Sequence, residues 1–220
     1  MSCFKLPVKL CKDIQALMAR FWWGEENDKR KVHWCSWQKL ARGKHNGGLG
    51  FKDLQGFNKA LLGKQIWRLL TRPNLLMSKV MKAKYYQHES PLSCEAKANS
   101  SWIWKSMMSA REEVRRGARR KIGNGKGTRI WEDAWIQDGK EGKVVSTKPP
   151  TCTISKVSDL ICNFRWNAPL VFRTFNPREA RQILKIPISL TSRPDSYFWS
   201  HSENGQYTVS SAYDAITRRK

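Results

Sequence analysis

An excess of positive charge constrains this chain more than any other feature of its sequence. Its 220 residues include 41 Lys and Arg but 18 Asp and Glu, which gives a formal net charge of +23. Repulsion of this size opposes compact folding unless solvent or a polyanion screens it, so nucleic acid is the predicted partner. The excess is uneven, with 28 basic and 9 acidic side chains in residues 1–130 and 13 and 9 in residues 131–220. We therefore expect the interacting surface in the first part of the chain.

The remaining composition argues against several classes of protein. Hydrophobic residues make up 40% of the chain, which is too many for a disordered protein. No segment approaches the roughly 18 consecutive apolar residues of a membrane span, and the first residues lack the apolar core of a secretory signal. The six cysteines are scattered without a Cys-x-x-Cys pair, which favours reduced thiols over disulfides or a metal site. We predict an intracellular protein, nuclear or cytoplasmic, with no membrane contact, cofactor or small-molecule substrate.

The hydrophobic periodicity of the first part predicts helices. Residues 7–24 form one amphipathic pattern, and residues 53–71 form the strongest one. In 53–71 the large side chains form a main stripe and small residues recur on the opposite side. The main stripe is Leu54, Phe57, Leu61 and Leu69, and the small stripe is Gly56, Ala60 and Gly63. Because glycine inside a helix costs about 1 kcal/mol relative to alanine, the small stripe predicts another element packed closely against a central helix.

A basic β-hairpin is predicted near residues 119–131. It follows a predicted helix over 102–117 that Ser100 or Ser101 caps. Two short alternating runs flank Asn124-Gly125, and an Asn-Gly pair in this setting is a strong hairpin signal.

The composition of residues 137–154 divides the chain. This stretch is rich in Gly, Lys, Thr and Pro and is the predicted linker between a basic helical region, 1–136, and a region of short elements, 155–220. In the second region, Asn176 followed by Pro177 predicts a helix start, and Asn204-Gly205 predicts another hairpin. The predicted fold class is α+β, mainly helical, with a basic helical part followed by a small part with short helices and a β-hairpin.

The acidic residues do not form a recognisable catalytic centre. A polymerase or nuclease that uses two metal ions needs carboxylates that hold cations about 4 Å apart. The adjacent acidic pairs are Glu25-Glu26, Glu112-Glu113 and Glu132-Asp133. The first two fall in a predicted solvent loop and on a helix exterior, and no Tyr-x-Asp-Asp motif is present. We therefore predict no catalytic residues, no metal site and no enzyme activity.

The glycine-rich segment 123–128 has the composition of a phosphate-binding loop. Lys126 is followed by Gly127, however, and the flanking segments resemble two strands and not a strand and a helix. This context favours the turn of a hairpin over a nucleotide-binding pocket.

The predicted nucleic-acid-binding residues lie close together, in segment 111–129. It holds eight basic and two acidic side chains, mostly arginine, whose planar guanidinium suits phosphate oxygens and can stack on bases. The alternative is a solvated helix flank and turn. The predicted phosphate contacts are Arg111, Arg115, Arg116, Arg119, Arg120, Lys121, Lys126 and Arg129. Trp104 is the candidate platform for base stacking, with a core position as the alternative. The hypothesis requires that these groups be exposed and not bound to the protein's own carboxylates.

A series of short motifs runs in order through nearly the whole chain. They are Met1-Ser2-Cys3-Phe4-Lys5-Leu6-Pro7, Phe21-Trp22-Trp23-Gly24, Val32-His33-Trp34-Cys35-Ser36-Trp37, Gly47-Gly48-Leu49-Gly50-Phe51-Lys52-Asp53-Leu54, 58–70, Ile122-Gly123-Asn124-Gly125, Ile130-Trp131, Gly205-Gln206-Tyr207-Thr208-Val209 and Ser211-Ala212-Tyr213. Together they resemble the plant LINE-type, non-LTR retrotransposon reverse transcriptase polyprotein. The resembling segment lies after the polymerase palm and before the zinc-binding and RNase H region.

This resemblance implies a role in handling nucleic acid. The intact family copies element RNA into DNA at a nicked target, and this segment would supply a thumb and a basic connector that grip template and primer. The catalytic aspartates of the palm are missing upstream, and no RNase H carboxylates follow. Residues 196–220 resemble only the opening of the zinc-binding region, whose ligands would lie beyond Lys220. The resemblance thus implies a truncated copy, for which the missing palm is an expected protein partner.

The sequence therefore predicts a catalytically inert fragment of a retrotransposon reverse transcriptase that binds RNA or DNA without sequence specificity. Two alternatives stay open. One is a subunit that completes a split RNA-directed DNA polymerase or nuclease with another chain. The other is an expressed relic with no selected function.

Overall fold

The fold is α+β and mainly helical, as predicted. The computed structural model describes residues 1–26, 29–30, 32–44, 47–136, 140–150 and 152–218. Its contacts divide the chain into two compact units. Unit 1 comprises Met1–Val114 and Thr208–Lys220, and unit 2 comprises Arg115–Tyr207. Within the described residues, no helix is both long enough and apolar enough to span a membrane.

The regular secondary structure of unit 1 is mostly helical. The helices are α1 (Val8–Trp23), α2 (Trp37–Leu40), α3 (Leu54–Thr71), α4 (Leu76–Tyr85), α5 (Trp102–Met108), α6 (Arg111–Gly117, which continues into unit 2) and α9 (Val209–Thr217). Two short antiparallel strands follow α1, namely β1 (Glu25–Glu26) and β2 (Lys29–Arg30). The single helix predicted over 102–117 is interrupted at residues 109–110, where the Ser109 hydroxyl donates to the Ser106 carbonyl, 2.7 Å away.

Helix α3 lies at the centre of unit 1, as predicted, and contacts α1, α4, α5 and α9. Asp53 caps its first turn by accepting a hydrogen bond from the Gly56 amide at 3.2 Å. The predicted small stripe is the fully buried face of the helix. A Cβ on Gly56 would lie 3.4 Å from the Tyr213 ring of α9, so the missing side chain permits this close approach. The predicted main stripe is mostly half-buried instead.

A buried amide on α3 fastens the N-terminal segment. The Asn58 side chain, 3% exposed, accepts a hydrogen bond from the Leu6 amide at 2.9 Å. Its Nδ2 donates to the carbonyl oxygens of Met1 and Phe4, at 2.7 and 2.9 Å. All polar atoms of this buried side chain therefore have partners, as stability requires.

Helix α1 leaves part of its apolar face in solvent. Cys11 and Ala19 are buried, whereas Leu10, Leu17 and Phe21 are 44%, 61% and 90% exposed. The three exposed residues recur at a spacing that places them on one side of a helix. We call them the α1 stripe.

Unit 2 is built from short elements. They are β3 (Ala118–Lys121), β4 (Ile161–Cys162), β5 (Arg165–Trp166), α7 (Ala168–Thr174), α8 (Pro177–Lys185), β6 (Ser196–Trp199) and two 3₁₀ turns, Lys140–Gly142 and Val157–Leu160. The core is a cluster of buried apolar side chains from the loops, turns and helices. It comprises Ile122, Ile130, Trp135, Ile136, Val157, Leu160, Val171, Phe175, Ala180 and Ile183.

The hairpin predicted near 119–131 was wrong. Across the described stretch 118–136, β3 does not pair with residues 128–131. It pairs antiparallel with β6, so that Ala118 lies opposite Trp199 and Lys121 opposite Ser196. The ring of Trp199 occupies the space that a Cβ of residue 117 would need, so Gly117 allows this sheet to form. A distant strand that brings a large buried aromatic side chain has replaced the local partner.

The second region does contain a β-hairpin, formed by β4 and β5. Asn204-Gly205 instead lies in a turn after β6, where the Trp199 amide donates to the Gly205 carbonyl at 2.8 Å. The predicted helix start is confirmed, because Asn176 accepts from the Glu179 amide at 2.9 Å and Pro177 opens α8.

The stretch predicted as a linker, 137–154, falls inside unit 2, and residues 137–139 and 151 lie outside the described residues. The buried Glu179 carboxylate accepts hydrogen bonds from the Val145 amide and from the Ser146 amide and hydroxyl. Its fourth donor is Asn176 Nδ2 at 2.8 Å. A side chain that follows the stretch in sequence thus holds part of it in place.

Candidate nucleic-acid interface

The glycine-rich turn 123–128 is held by one carboxylate. Asp195 Oδ1 accepts from the amides of Gly123 and Gly125, at 2.7 and 2.9 Å. Its Oδ2 accepts from the Gly127 amide at 2.9 Å and from the Thr128 hydroxyl at 2.8 Å. The predicted hairpin turn is therefore a loop wrapped around an anion that a distant part of the chain supplies.

A second segment runs beside this turn and fixes its other side. The amides of Val157 and Ser158 donate to the carbonyls of Thr128 and Gly125, at 3.0 and 3.1 Å. An antiparallel bridge also joins Arg129 and Lys156. The turn is thus bonded on both sides and presents its side chains from a well-supported backbone.

Five exposed basic residues surround the turn. Three were predicted from sequence, namely Lys121 at the end of β3, Lys126 within the turn and Arg129 just after it. The other two are Lys156, opposite Arg129 in the bridge, and Arg193, whose carbonyl lies against Gly123. Sequence reasoning missed these two because no local signal links them to segment 111–129. We call the five residues the turn cluster.

Two of the predicted arginines are engaged within unit 2. Arg119 is half-buried, and its Nη1 donates to the carbonyls of Arg116 and Ala118, at 2.8 and 3.1 Å. Burial lowers the pKa of Arg119, and the nearby Glu141 carboxylate opposes that shift. Such a group is poorly placed for phosphate.

Arg120 is also taken up by its neighbours. Its guanidinium lies 4.0 Å from the centre of the Tyr197 ring, and Nε lies 3.8 Å from Asp133 Oδ2. The first contact is a cation–π interaction between paired strands, and the second is an ion pair. The requirement that the arginines be free of the protein's own carboxylates therefore fails at Arg120.

The three arginines of α6 are half-buried. Arg111 belongs to unit 1, where its Nη1 donates to the Cys94 carbonyl. Arg115 and Arg116 are each already engaged with other groups of the chain. The sequence predicted an open arginine surface along this helix, whereas the three side chains are half-buried and engaged within the chain.

Trp104 occupies a core position, which was the alternative to base stacking. Its side chain is fully buried, and its ring stacks on those of Tyr85 and Tyr86 at centroid distances of 4.5 and 5.7 Å. Burial raises the pKa of Tyr86 to about 12, with the nearby Cys94 thiol adding to the effect. A nucleic-acid base has no access to this ring.

Carboxylates near the turn cluster bind mainly backbone amides. Asp133 Oδ2 accepts from the Arg129 amide at 2.8 Å. Asp159 Oδ2 accepts from the amides of Ser155 and Lys156, at 2.9 and 3.0 Å. Burial alone would raise the pKa of Asp159, but these hydrogen bonds and the Lys156 charge lower it overall. The ammonium and guanidinium groups of the turn cluster can therefore bind phosphate oxygens by charge-assisted hydrogen bonds.

Within the described residues, no group of three or more His, Cys, Asp or Glu side chains is arranged to hold a metal ion.

Two plant proteins are similar to this chain, both from Arabidopsis thaliana. The "Uncharacterized mitochondrial protein AtMg00310" is 43% identical over 139 residues, which are 63% of this chain and 90% of that protein. The "Putative ribonuclease H protein At1g65750" is 30% identical over 224 residues, which cover 99% of this chain. The chain spans only 36% of that second relative's length. No family profile and no solved structure matches the chain.

Both relatives are consistent with a retrotransposon-related protein. The match to the first covers almost all of that protein at an identity too high to be accidental. The chain therefore belongs to the same protein family as AtMg00310 of Arabidopsis thaliana.

Proposed function

We propose that this chain is a catalytically inert segment of a LINE-type retrotransposon reverse transcriptase that binds RNA or DNA without sequence specificity through the turn cluster. The observation that carries the proposal is the set of five exposed basic side chains around a backbone fixed by hydrogen bonds. A backbone held in place by hydrogen bonds keeps the attachment points of the five side chains close together, so binding a polyanion costs less conformational entropy than it would on a mobile loop. The contacts are to phosphate, so they select backbone charge and not base sequence.

The two relatives support a retrotransposon-related origin for this chain. One of them is named for ribonuclease H, an activity directed at nucleic acid, and it is much longer than this chain. We assign the present segment to binding and assign any chemistry to other parts of the intact protein.

A salt titration tests the binding. If all five residues of the turn cluster contact phosphate, log affinity for duplex DNA falls with log salt at a slope of about −4.5. Fluorescence anisotropy with labelled single-stranded and duplex oligonucleotides measures this slope and the preference between RNA and DNA. A slope near zero contradicts the proposal.

A charge-matched pair of variants localises the binding. In the first, Lys121, Lys126, Arg129, Lys156 and Arg193 are replaced by Gln. In the second, five exposed lysines of unit 1 are replaced by Gln, namely Lys79, Lys82, Lys84, Lys97 and Lys105. Both variants lose the same net charge. We expect the first to lose most of the affinity and most of the salt dependence, and the second to lose much less. Equal losses would mean that net charge alone governs binding.

An activity assay separates the proposal from the split-enzyme alternative. The purified chain with Mg²⁺ should neither extend a primer nor cleave the RNA of an RNA–DNA hybrid. Activity that appears only when a second polypeptide is added would support the alternative.

We also propose that the α1 stripe is covered by the polymerase palm in the intact protein. The observation that supports this proposal is the exposure of Leu10, Leu17 and Phe21 on one side of a helix. The double variant L17S/F21S should aggregate less than the parent chain and keep its free energy of unfolding. A palm-containing segment that binds the parent chain should fail to bind this variant. Unchanged palm binding would place the contact elsewhere.

A further inference from the structure

The turn 123–128 offers four converging hydrogen-bond donors. Three are the backbone amides of Gly123, Gly125 and Gly127, and the fourth is the Thr128 hydroxyl. All four donor–acceptor distances lie between 2.7 and 2.9 Å, the range of charge-assisted hydrogen bonds. Backbone amides that converge on one point, here from alternate residues, form an anion-binding concavity.

Contacts other than those to Asp195 also shape this concavity. Gly125 has a φ of +73°, and a Cβ there would lie 2.5 Å from the Ser158 amide nitrogen. The Asn124 side chain donates to the Ser192 carbonyl at 3.2 Å and accepts from the Lys126 amide at 3.0 Å. The amides are thus directed inward by neighbouring segments as well as by the anion they bind.

We propose that the turn 123–128 is an oxyanion-binding site of the phosphate class, and that Asp195 occupies it as an internal blocking group. Amide clusters of this kind bind carboxylate and phosphate oxygens alike. The exposed Lys126 within the turn and Arg193 beside it add positive charge that would favour a phosphate.

The native chain keeps external phosphate out for two reasons. Asp195 is tethered beside the donors, so its effective concentration far exceeds that of a free ion. Its negative charge also repels a second anion at close range. The native turn cluster is therefore left to bind phosphate through side chains alone.

The test uses Asp195→Ala and inorganic phosphate. Asp13→Ala, which removes an exposed carboxylate from α1, is the matched control because it changes the net charge equally. The amide NMR signals of Gly123, Gly125 and Gly127 are followed during phosphate titration at constant ionic strength maintained with chloride. We expect saturable shifts of these signals in Asp195→Ala only. A folded Asp195→Ala chain whose three signals do not respond overturns the proposal.

A loss of folding is also informative. If Asp195→Ala is unfolded in chloride, phosphate should restore its native spectrum, because binding to the native state alone stabilises that state. Asp195→Ser, which shortens the side chain and removes its charge, provides the second variant. Failure of phosphate to restore the first variant, together with no phosphate response of the second, overturns the proposal.

A second experiment measures the binding of duplex DNA by the same variants, and its expected result rests on the proposed function. We expect Asp195→Ala to bind duplex DNA about fivefold more tightly than Asp13→Ala, because the freed amides gain a phosphate contact. The phosphate titration contains no nucleic acid, so the two experiments fail independently. A phosphate response without tighter DNA binding confirms the anion site and overturns its use by nucleic acid.

Discussion

Unit 1 buries its core along one long helix, whereas unit 2 joins short elements through side chains that bond to loops. In unit 1, α3 is surrounded by other helices and its small residues are fully buried. In unit 2, the carboxylates of Glu179 and Asp195 each collect donors from a loop distant in sequence. Both units also bury apolar side chains, so removal of charge or of a hydrogen-bond acceptor is the change that should distinguish them, with the larger effect in unit 2.

The same difference explains which basic residues remain available. Arg111 of α6 and Arg119 and Arg120 of β3 contact carbonyls, an aromatic ring or a carboxylate of the chain. The exposed cations instead surround a turn that hydrogen bonds hold in place. A local count of charge therefore overestimates the binding surface, because guanidinium groups are also good partners for carbonyls and aromatic rings.

The largest effect should come from the core of unit 1. Trp104→Ala removes a fully buried ring stacked on two tyrosines and should lower the free energy of unfolding by about 3–5 kcal/mol. Trp102, in the same helix, is 68% exposed, so Trp102→Ala should cost less than about 0.5 kcal/mol. Urea denaturation measures both. Equal losses would contradict the core position of Trp104.

The next largest effect should come from removal of the buried Glu179 charge in unit 2. Glu179→Gln keeps the size of the side chain but replaces one accepting oxygen with a donor, which should cost about 2–3 kcal/mol. We also expect faster proteolysis near Val145 and Ser146, whose amides lose their acceptor. Glu203→Gln, at an exposed position, is the control. An unchanged proteolysis rate would show that other contacts hold this segment.

Two glycines with similar positive φ values distinguish the cost of backbone strain from the cost of steric crowding. Gly125 and Gly50 have φ values of +73° and +78°, but a Cβ would meet other atoms only at Gly125. We expect Gly50→Ala to cost about 1 kcal/mol, from the left-handed conformation alone. Gly125→Ala should cost about 2 kcal/mol, because the methyl group also displaces Ser158. Thermal unfolding monitored by circular dichroism compares the two variants, and the same cost for both would mean that residue 158 yields easily.

The smallest effect should be a pH dependence in unit 1. The pKa of Tyr86 is about 12 in the folded chain, compared with about 10 when it is unfolded. Between these values the unfolded state loses the proton first, so the free energy of unfolding falls as the pH rises. We expect the parent chain to lose about 1 kcal/mol more than Tyr86→Phe when the pH rises from 9 to about 11. Parallel loss in both chains would contradict the raised pKa.

Local sequence patterns correctly predicted the elements that are specified by residues close together in the sequence. The helix over 53–71 was predicted from its periodicity, and the start of α8 was predicted at Asn176, because spacing and capping are local properties. The same reasoning failed at the hairpin near 119–131. The Asn-Gly signal identified a real turn, but it could not reveal that β6 outcompetes the neighbouring strand.

The candidate site was predicted only in part for the same reason. Lys121, Lys126 and Arg129 could be chosen from charge density, and they are exposed as that hypothesis requires. Lys156 reaches the turn through a β-bridge to Arg129, and the Arg193 carbonyl lies against Gly123, both contacts between residues far apart in sequence. The engagement of Arg119 and Arg120 and the burial of Trp104 likewise depend on neighbours that periodicity does not specify.

The sequence by itself determined the helical character of unit 1, the basic character of the whole chain and the presence of a glycine-rich turn. Periodicity, composition and capping depend on residues that are near one another in the sequence, so they can be recognised without the three-dimensional structure. Only the tertiary structure decided which cations stay exposed and that Asp195 fills the turn. Those outcomes depend on long-range pairing, in which a residue gains its role from groups that folding brings next to it.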